Sequence, residues 1–220
     1  DVYLDGLFTK LAEKYIAEKR EKPFFLWLNY SLPHGPYDVK QSYHDRVKDT
    51  VLPTPNAADD KGEGIPALLR PHPERNEAST QKARIGNCAN IVFLDEQIKT
   101  VLEAVKKSGQ EKNTIIVFFS DHGILVGEHG LIHKSTLYKE VLNPTLIISD
   151  PTNKISQRID QPVQLLDLVK TTLDWAKASN EDKAIPYGDS LTPLLTKSGK
   201  FTRAYAVGES PGYYAIITED

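Results

Sequence analysis

Two short stretches in which every residue is apolar, Phe-Phe-Leu-Trp-Leu at 24–28 and Ile-Ile-Val-Phe-Phe at 115–119, constrain this chain more than anything else in it. A strand with one wet face alternates apolar and polar residues, so an unbroken run predicts a strand covered on both faces, as in a parallel sheet between helices. Helical stripes supply the cover. Leu4, Leu7, Phe8, Leu11, Tyr15 and Ile16 recur at helical spacing over 4–19. Ile85, Cys88, Val92, Ile98, Val101, Leu102 and Val105 form a second stripe, stopped by Ser108-Gly109. Beyond them a short helix is expected near 136–142, a strand over 145–148, and a helix opening at Asp160 and Pro162 that carries Val163, Leu166, Val169, Leu173 and Trp175. Residues 204–208 and 213–218 predict a hairpin across Ser210-Pro211-Gly212, with proline and glycine where a type II turn prefers them. The expected class is α/β: a mostly parallel sheet with helices on both faces over 1–200, then a small antiparallel C-terminal hairpin that starts a subdomain over 201–220. Residues 37–76, polar and rich in proline and glycine, read as a long loop.

Charge and composition exclude several partners. With 27 basic against 30 acidic residues and a net charge of -3, there is no basic field for nucleic acid and no polybasic block for a membrane surface. No apolar run approaches the roughly 20 residues of a membrane span. The single cysteine, Cys88, rules out an internal disulfide and a multi-cysteine zinc site, and its place on an apolar stripe reads as a small buried hydrophobe. The chain has no methionine and no signal-like N-terminus, so it reads as a mature or excised piece. Nothing in it fixes an oligomeric state.

In open parallel sheets, ligands bind beyond the carboxyl ends of the strands. The first apolar run leads to Ser31-Leu32-Pro33-His34-Gly35-Pro36, and the second to Ser120-Asp121-His122-Gly123. Strands pointing the same way would bring His34, Asp121 and His122 to one mouth. A carboxylate beside an imidazole suits a divalent cation, and a hard ion such as calcium wants six or more oxygen donors, so further carboxylates must come from elsewhere. Asp59-Asp60 sits in the long loop, a poor platform for a precise metal site. Lys134, with His129 and His133 close in sequence, could bind an anion; a cation and a lysine together match a doubly charged or tetrahedral oxyanion. Blander roles compete. An Asp-His pair after a strand also serves as a turn or cap, a lone lysine as a solvated surface group, and His44, His72 and His133 read as surface or loop residues. Asp95 falls on the apolar stripe and is expected as a buried carboxylate with an anchoring role.

Taken together, these segments resemble the sulfatase family of the alkaline phosphatase-like superfamily. Residues 23–26 leading to Pro33-His34-Gly35-Pro36 are similar to its strand and Pro-His-x-Pro turn, and 89–109, with Phe93-Leu94-Asp95 and Ile98, to its helix before the second metal-binding strand. Residues 113–123, then Gly127-Glu128-His129-Gly130 and Lys134, are similar to its Asp-His-Gly, Gly-Glu-His-Gly and lysine series. The Asp-His version is closer to iduronate-2-sulfatase-like and choline-sulfatase-like members than to arylsulfatases with Asp-Asn. The resemblance implies Asp121 and His122 as metal ligands, usually to calcium. It implies His34 and Lys134 as sulfate-binding groups that assist departure of the substrate oxygen, with His129 lining the substrate site. It further implies a formylglycine nucleophile, a sulfated small molecule or sulfated sugar as substrate, and an exported (periplasmic, secreted or lysosomal) location. Two family features are not found: Cys88 lies in Gly-Asn-Cys-Ala-Asn-Ile rather than a Cys/Ser-x-Pro/Ala-x-Arg motif, and the paired N-terminal aspartates are missing. Lys139 and Asn143-Pro144-Thr145 depart from the family more mildly. The expectation is the downstream part of a sulfatase catalytic domain, inactive by itself. A two-zinc phosphodiesterase or phosphatase of the same superfamily, or a non-catalytic binder of sulfated ligands, are the alternatives.

Overall fold

The computed structural model describes residues 3–55, 77–153, 155–178, 187–210 and 212–218. They form two compact units, Asp1–Thr114 with Leu125–His133, and Ile115–Ile124 with Lys134–Asp220.

The first unit is helical. Helix α1 (Leu4–Ala17) has an inner row of Asp5, Thr9, Ala12 and Ile16, one position round from the expected stripe. Leu4, Leu7 and Leu11 therefore face outward. The row is shifted because Asp5 and Thr9 have polar partners inside, described below, that bury them without loss. Helix α2 (Gln41–Val47) occupies the front of the segment expected as loop, and residues 56–76 of that segment, with Asp59-Asp60 and His72, lie outside the described residues. Helix α3 (Glu77–Lys107) runs to the expected stop, where Gly109 takes a φ of 74°. Its inner row is Gly86, Ala89, Asn90, Phe93 and Leu94. Asp95, expected to be buried, is exposed because it follows that row by one position and points off it. Val39, Val47, Ala89 and Phe93 form the core cluster, with the half-buried Cys88 packed against it as a small hydrophobe. Phe93 meets the rings of Tyr3 and Tyr43 at centroid distances of 5.4 and 5.1 Å. Gly86 permits close packing, since a Cβ there would lie 2.6 Å from Tyr37 Cβ.

Residues 24–30 differ from expectation. They join neither sheet of the described residues, and burial alternates strictly, with Phe25 67% and Trp27 64% exposed. The period of two is that of a strand, but only one face is covered.

In the second unit, β1 (Ile116–Phe119) pairs with β2 (Leu146–Ser149) in antiparallel register, Phe119 opposite Leu146 and Ile116 opposite Ser149. A parallel neighbour was expected; between these strands the second unit contains only the four-residue α4 (Lys139–Leu142), not the long helix of a parallel crossover. Helix α5 (Asp167–Ala176) starts later than Asp160, because the Asp167 carboxylate accepts the Gln164 backbone N–H at 2.7 Å and holds a turn ahead of it. Its buried side chains are Asp167, Leu168 and Thr171, while Leu166 and Val169 of the expected stripe are exposed. After α6 (Thr192–Thr196) come β3 (Tyr205–Ser210) and β4 (Tyr213–Thr218), the expected hairpin, with Ser210 opposite Tyr213 and Gly212 at a φ of 82°.

Candidate active site

β1 delivers Ser120, Asp121 and His122 at its C-terminal end. The ladder extends one step, with Ser120 N–H donating to Thr145 O at 3.1 Å, and the turn then closes on itself. Ser120 Oγ donates to His122 O at 2.7 Å, and His122 N–H to Asp121 Oδ1 at 2.9 Å. His122 Nδ1 lies 2.9 Å from Gly123 O. A carbonyl oxygen only accepts, so Nδ1 carries a proton, and in the neutral ring Nε2 is left with its lone pair. That lone pair stands 3.3 Å from Asp121 Oδ2. Neutral, the ring sets a nitrogen lone pair beside a carboxylate oxygen, a donor pair that suits a divalent cation; protonated, it pairs with the same carboxylate. Both side chains reach solvent, Asp121 at 79% and His122 at 37% exposure. Gly123 seats the turn on α4: its N–H donates to Val141 O at 2.9 Å, and a Cβ there would collide with the Glu140 carbonyl oxygen. Among the described residues no group of three or more His, Cys, Asp or Glu side chains could hold a metal, so there Asp121 and His122 stand as a pair and not as a complete shell. Lys134, in the same unit, is half-buried, and the Thr136 N–H donates to its carbonyl at 2.8 Å.

His34 and His129 belong to the first unit. His34 is exposed on a turn whose Leu32–Pro33 and Gly35–Pro36 bonds are both cis, and its N–H donates to Ser31 O at 3.1 Å. Its Nδ1 is 2.6 Å from Gly35 O, which again places a proton on Nδ1 and, in the neutral ring, leaves the lone pair on Nε2. The turn is held from two helices. From α1, the buried Asp5 carboxylate accepts Ser31 N–H at 2.6 Å, Ser31 Oγ at 2.7 Å and Leu32 N–H at 3.4 Å. Beside it, the Thr9 and Tyr30 hydroxyls share a hydrogen bond of 2.9 Å. Burial raises the Tyr30 phenol above its ordinary range; the Thr9 bond opposes this and the Asp5 charge adds to it. From α3, Asn87 Nδ2 reaches Pro33 O at 3.2 Å, and the wholly buried Asn90 lies beneath the same turn. Asp5, Asn87 and Asn90 escaped the sequence reading. The one available signal was a pair of asparagines at positions 87 and 90 inside a helix otherwise apolar on that side.

His129 lies on a tight 3-10 turn, Glu128–Gly130, with a φ of 55° between Gly127 at 115° and Gly130 at 67°. The turn is pinned by Glu128 Oε2, which accepts Val126 N–H at 2.8 Å, and by the fully buried Leu131.

Comparison with known proteins decides the family. Residues 1–178 match the family described as Sulfatase. The chain belongs to the sulfatase family. It is 29% identical to an arylsulfatase of Clostridium perfringens over 219 residues, covering 90% of this chain and 44% of that protein. It is 31% identical to a sulfatase of Formosa agariphila, covering 89% of this chain and 41% of that protein. A choline-sulfatase of Rhizobium meliloti is 26% identical over 81% of this chain and 36% of its own length. The chain thus spans less than half the length of these relatives. Among solved structures, a phosphonate monoester hydrolase from Silicibacter pomeroyi superposes with a TM-score of 0.79 at 24% identity, covering 94% of this chain and 44% of its own. An enzyme solved with its substrate D-glucosamine-2-N,6-O-disulfate also gives 0.79, at 22% identity, covering 100% of this chain and 60% of its own. These likenesses establish the alkaline phosphatase-like α/β fold.

Proposed function

We propose that the complete protein hydrolyses sulfate esters, and that this chain supplies part of the cation site and the groups that bind the sulfate. One observation carries the reading: in a sulfatase-family chain, His122 Nε2 stands 3.3 Å from Asp121 Oδ2 while Nδ1 is engaged by Gly123 O, so that the neutral ring and the carboxylate make a two-donor seat for a divalent cation. A cation bound there, expected to be calcium, would offset negative charge on the sulfuryl oxygens, and a formylglycine contributed by other parts of the protein would supply the attacking hydroxyl. Asp121 and His122 would hold the cation. Lys134 contributes a fixed positive charge to the sulfate. His34, exposed on its turn, in its protonated form donates a hydrogen bond from Nε2 to the departing substrate oxygen. His129 lines the substrate site. On this reading residues 1–220 alone are inactive, the substrate is a sulfated small molecule or sugar, and the protein works after export.

The test uses the full-length protein carrying formylglycine, 4-nitrophenyl sulfate and a panel of sulfated sugars. Sulfate release that falls steeply in Lys134→Ala is expected. No release from any of them, together with an unaltered Lys134→Ala, overturns the proposal. Paired zinc in the purified enzyme with phosphate-ester turnover would replace it with the two-metal phosphodiesterase reading. Absence of a Cys/Ser-x-Pro/Ala-x-Arg motif from the complete protein would replace it with a binder of sulfated ligands.

A further inference from the structure

Asn90 is wholly buried on α3, and its Nδ2 lies 3.2 Å from His34 O, 3.4 Å from Pro33 O and 3.4 Å from Pro36 O. Its Oδ1 has no hydrogen-bond partner among the described residues. The amide orientation is unambiguous: reversed, the oxygen would face three carbonyl oxygens. A nonpolar residue would suit a helix row that also buries Ala89 and Phe93, and an orphaned buried acceptor is a liability that burial alone does not justify. The donor side accounts for it. Three carbonyl dipoles converging on one point repel, and a single –NH2 group draws them together. The carbonyl between them, Gly35 O, is the one that takes the proton of His34 Nδ1 at 2.6 Å.

We propose that Asn90 is the positioning residue of His34: by gathering the carbonyls of Pro33, His34 and Pro36 it aims Gly35 O at the imidazole, fixes the Nδ1–H tautomer and keeps Nε2 pointed at substrate. Asn90 itself touches no reacting atom. The inference rests on the proposed role of His34, but the tautomer of that ring is measurable whether or not the protein is a sulfatase.

The experiment compares full-length wild type with Asn90→Leu, which is near in volume and lacks both donor and orphan acceptor, and with Asn90→Gln, which keeps the amide. Histidine-selective 15N NMR, with the His34 signal assigned by its loss in His34→Gln, reads the tautomer. Wild type should show a single Nδ1–H form, Asn90→Leu a mixture, and Asn90→Gln a partial return. With 4-nitrophenyl sulfate, kcat should fall on the order of 10–100-fold in Asn90→Leu while KM stays within about twofold, as expected for lost aim and not lost binding. A His34 signal unchanged in Asn90→Leu overturns the inference. If that variant does not fold, Asn90→Ser is read in its place, and an unchanged signal there overturns the inference equally. A wild type that releases no sulfate yet shows the tautomer shift refutes the function and leaves the positioning role standing.

Discussion

Replacing Asp167 with alanine should be among the most costly single changes in the second unit. The carboxylate is fully buried and both oxygens are engaged: Oδ2 accepts Gln164 N–H at 2.7 Å and Arg203 Nη1 at 2.5 Å, and Oδ1 accepts Asp189 N–H at 2.8 Å. Arg203, whose side chain is 11% exposed, would keep Asp189 Oδ2 at 2.6 Å, a partner 60% exposed and therefore weaker, and the Phe201 ring 5.5 Å from its guanidinium. Breaking a buried ion pair by removing one partner costs about 3–5 kcal/mol, because the other charge stays behind. The two stranded backbone donors would add about 1–3 kcal/mol each if sealed, and less where water enters the vacated space. A net loss of about 4 kcal/mol follows, read as a lower urea midpoint at unchanged slope in the full-length protein. The double variant Asp167→Leu with Arg203→Met should recover most of the loss, since neither charge is then stranded. A loss below about 1 kcal/mol in Asp167→Ala, or a double variant as unstable as the single, would refute the argument that stranded charge sets the cost.

Asp121→Asn removes the charge beside His122 Nε2, and calcium affinity of the full-length protein, measured calorimetrically, should drop on the order of 10–100-fold or more. Gly123→Ala drives a Cβ into the Glu140 carbonyl, which is backbone and cannot swing aside; a loss of about 1–3 kcal/mol in thermal or urea unfolding is expected. Hydrogen bonds from Arg46 first, and then Tyr43, hold the Glu96 carboxyl below its ordinary range. Because the folded value is the lower one, its contribution is present above the ordinary Glu value of about 4.3 and is lost as pH falls through the depressed folded value. The stability difference between wild type and Glu96→Gln should therefore shrink on acidification over that window and stay flat above it, at an amplitude limited by the half-exposed site.

Sequence pattern located the elements better than it located their faces. Apolar spacing found α1, α3, α4, β2 and the hairpin, because a continuous stripe or run has few other ways to be buried. It misjudged which sides of α1 and α5 turn inward, and why is visible in Asp5, Thr9, Asp167 and Thr171. Each is a polar residue that hydropathy sends outward. Each is buried because a distant partner satisfies it: Ser31 for Asp5, Tyr30 for Thr9, Arg203 for Asp167, and the Leu191 N–H for Thr171 at 2.9 Å. Those pairings span up to several tens of residues and leave no local periodicity. Asp95 was the reverse case, a carboxylate placed inward by spacing and turned outward by one step of helical rotation.

By itself, the amino-acid sequence determined the family, the α/β class and the candidate residues His34, Asp121, His122, His129 and Lys134, since each rests on residue identity at short fixed spacing. Tertiary structure alone decided how those residues are held. The protons on Nδ1 of His34 and His122 follow from carbonyls that only the folded turns bring within reach. The clamp on the His34 turn joins α1 and α3 residues more than 50 positions apart, Asp5 and Asn90. A side chain's chemistry belongs to its sequence, but its direction and its proton are set by neighbours that only folding assembles.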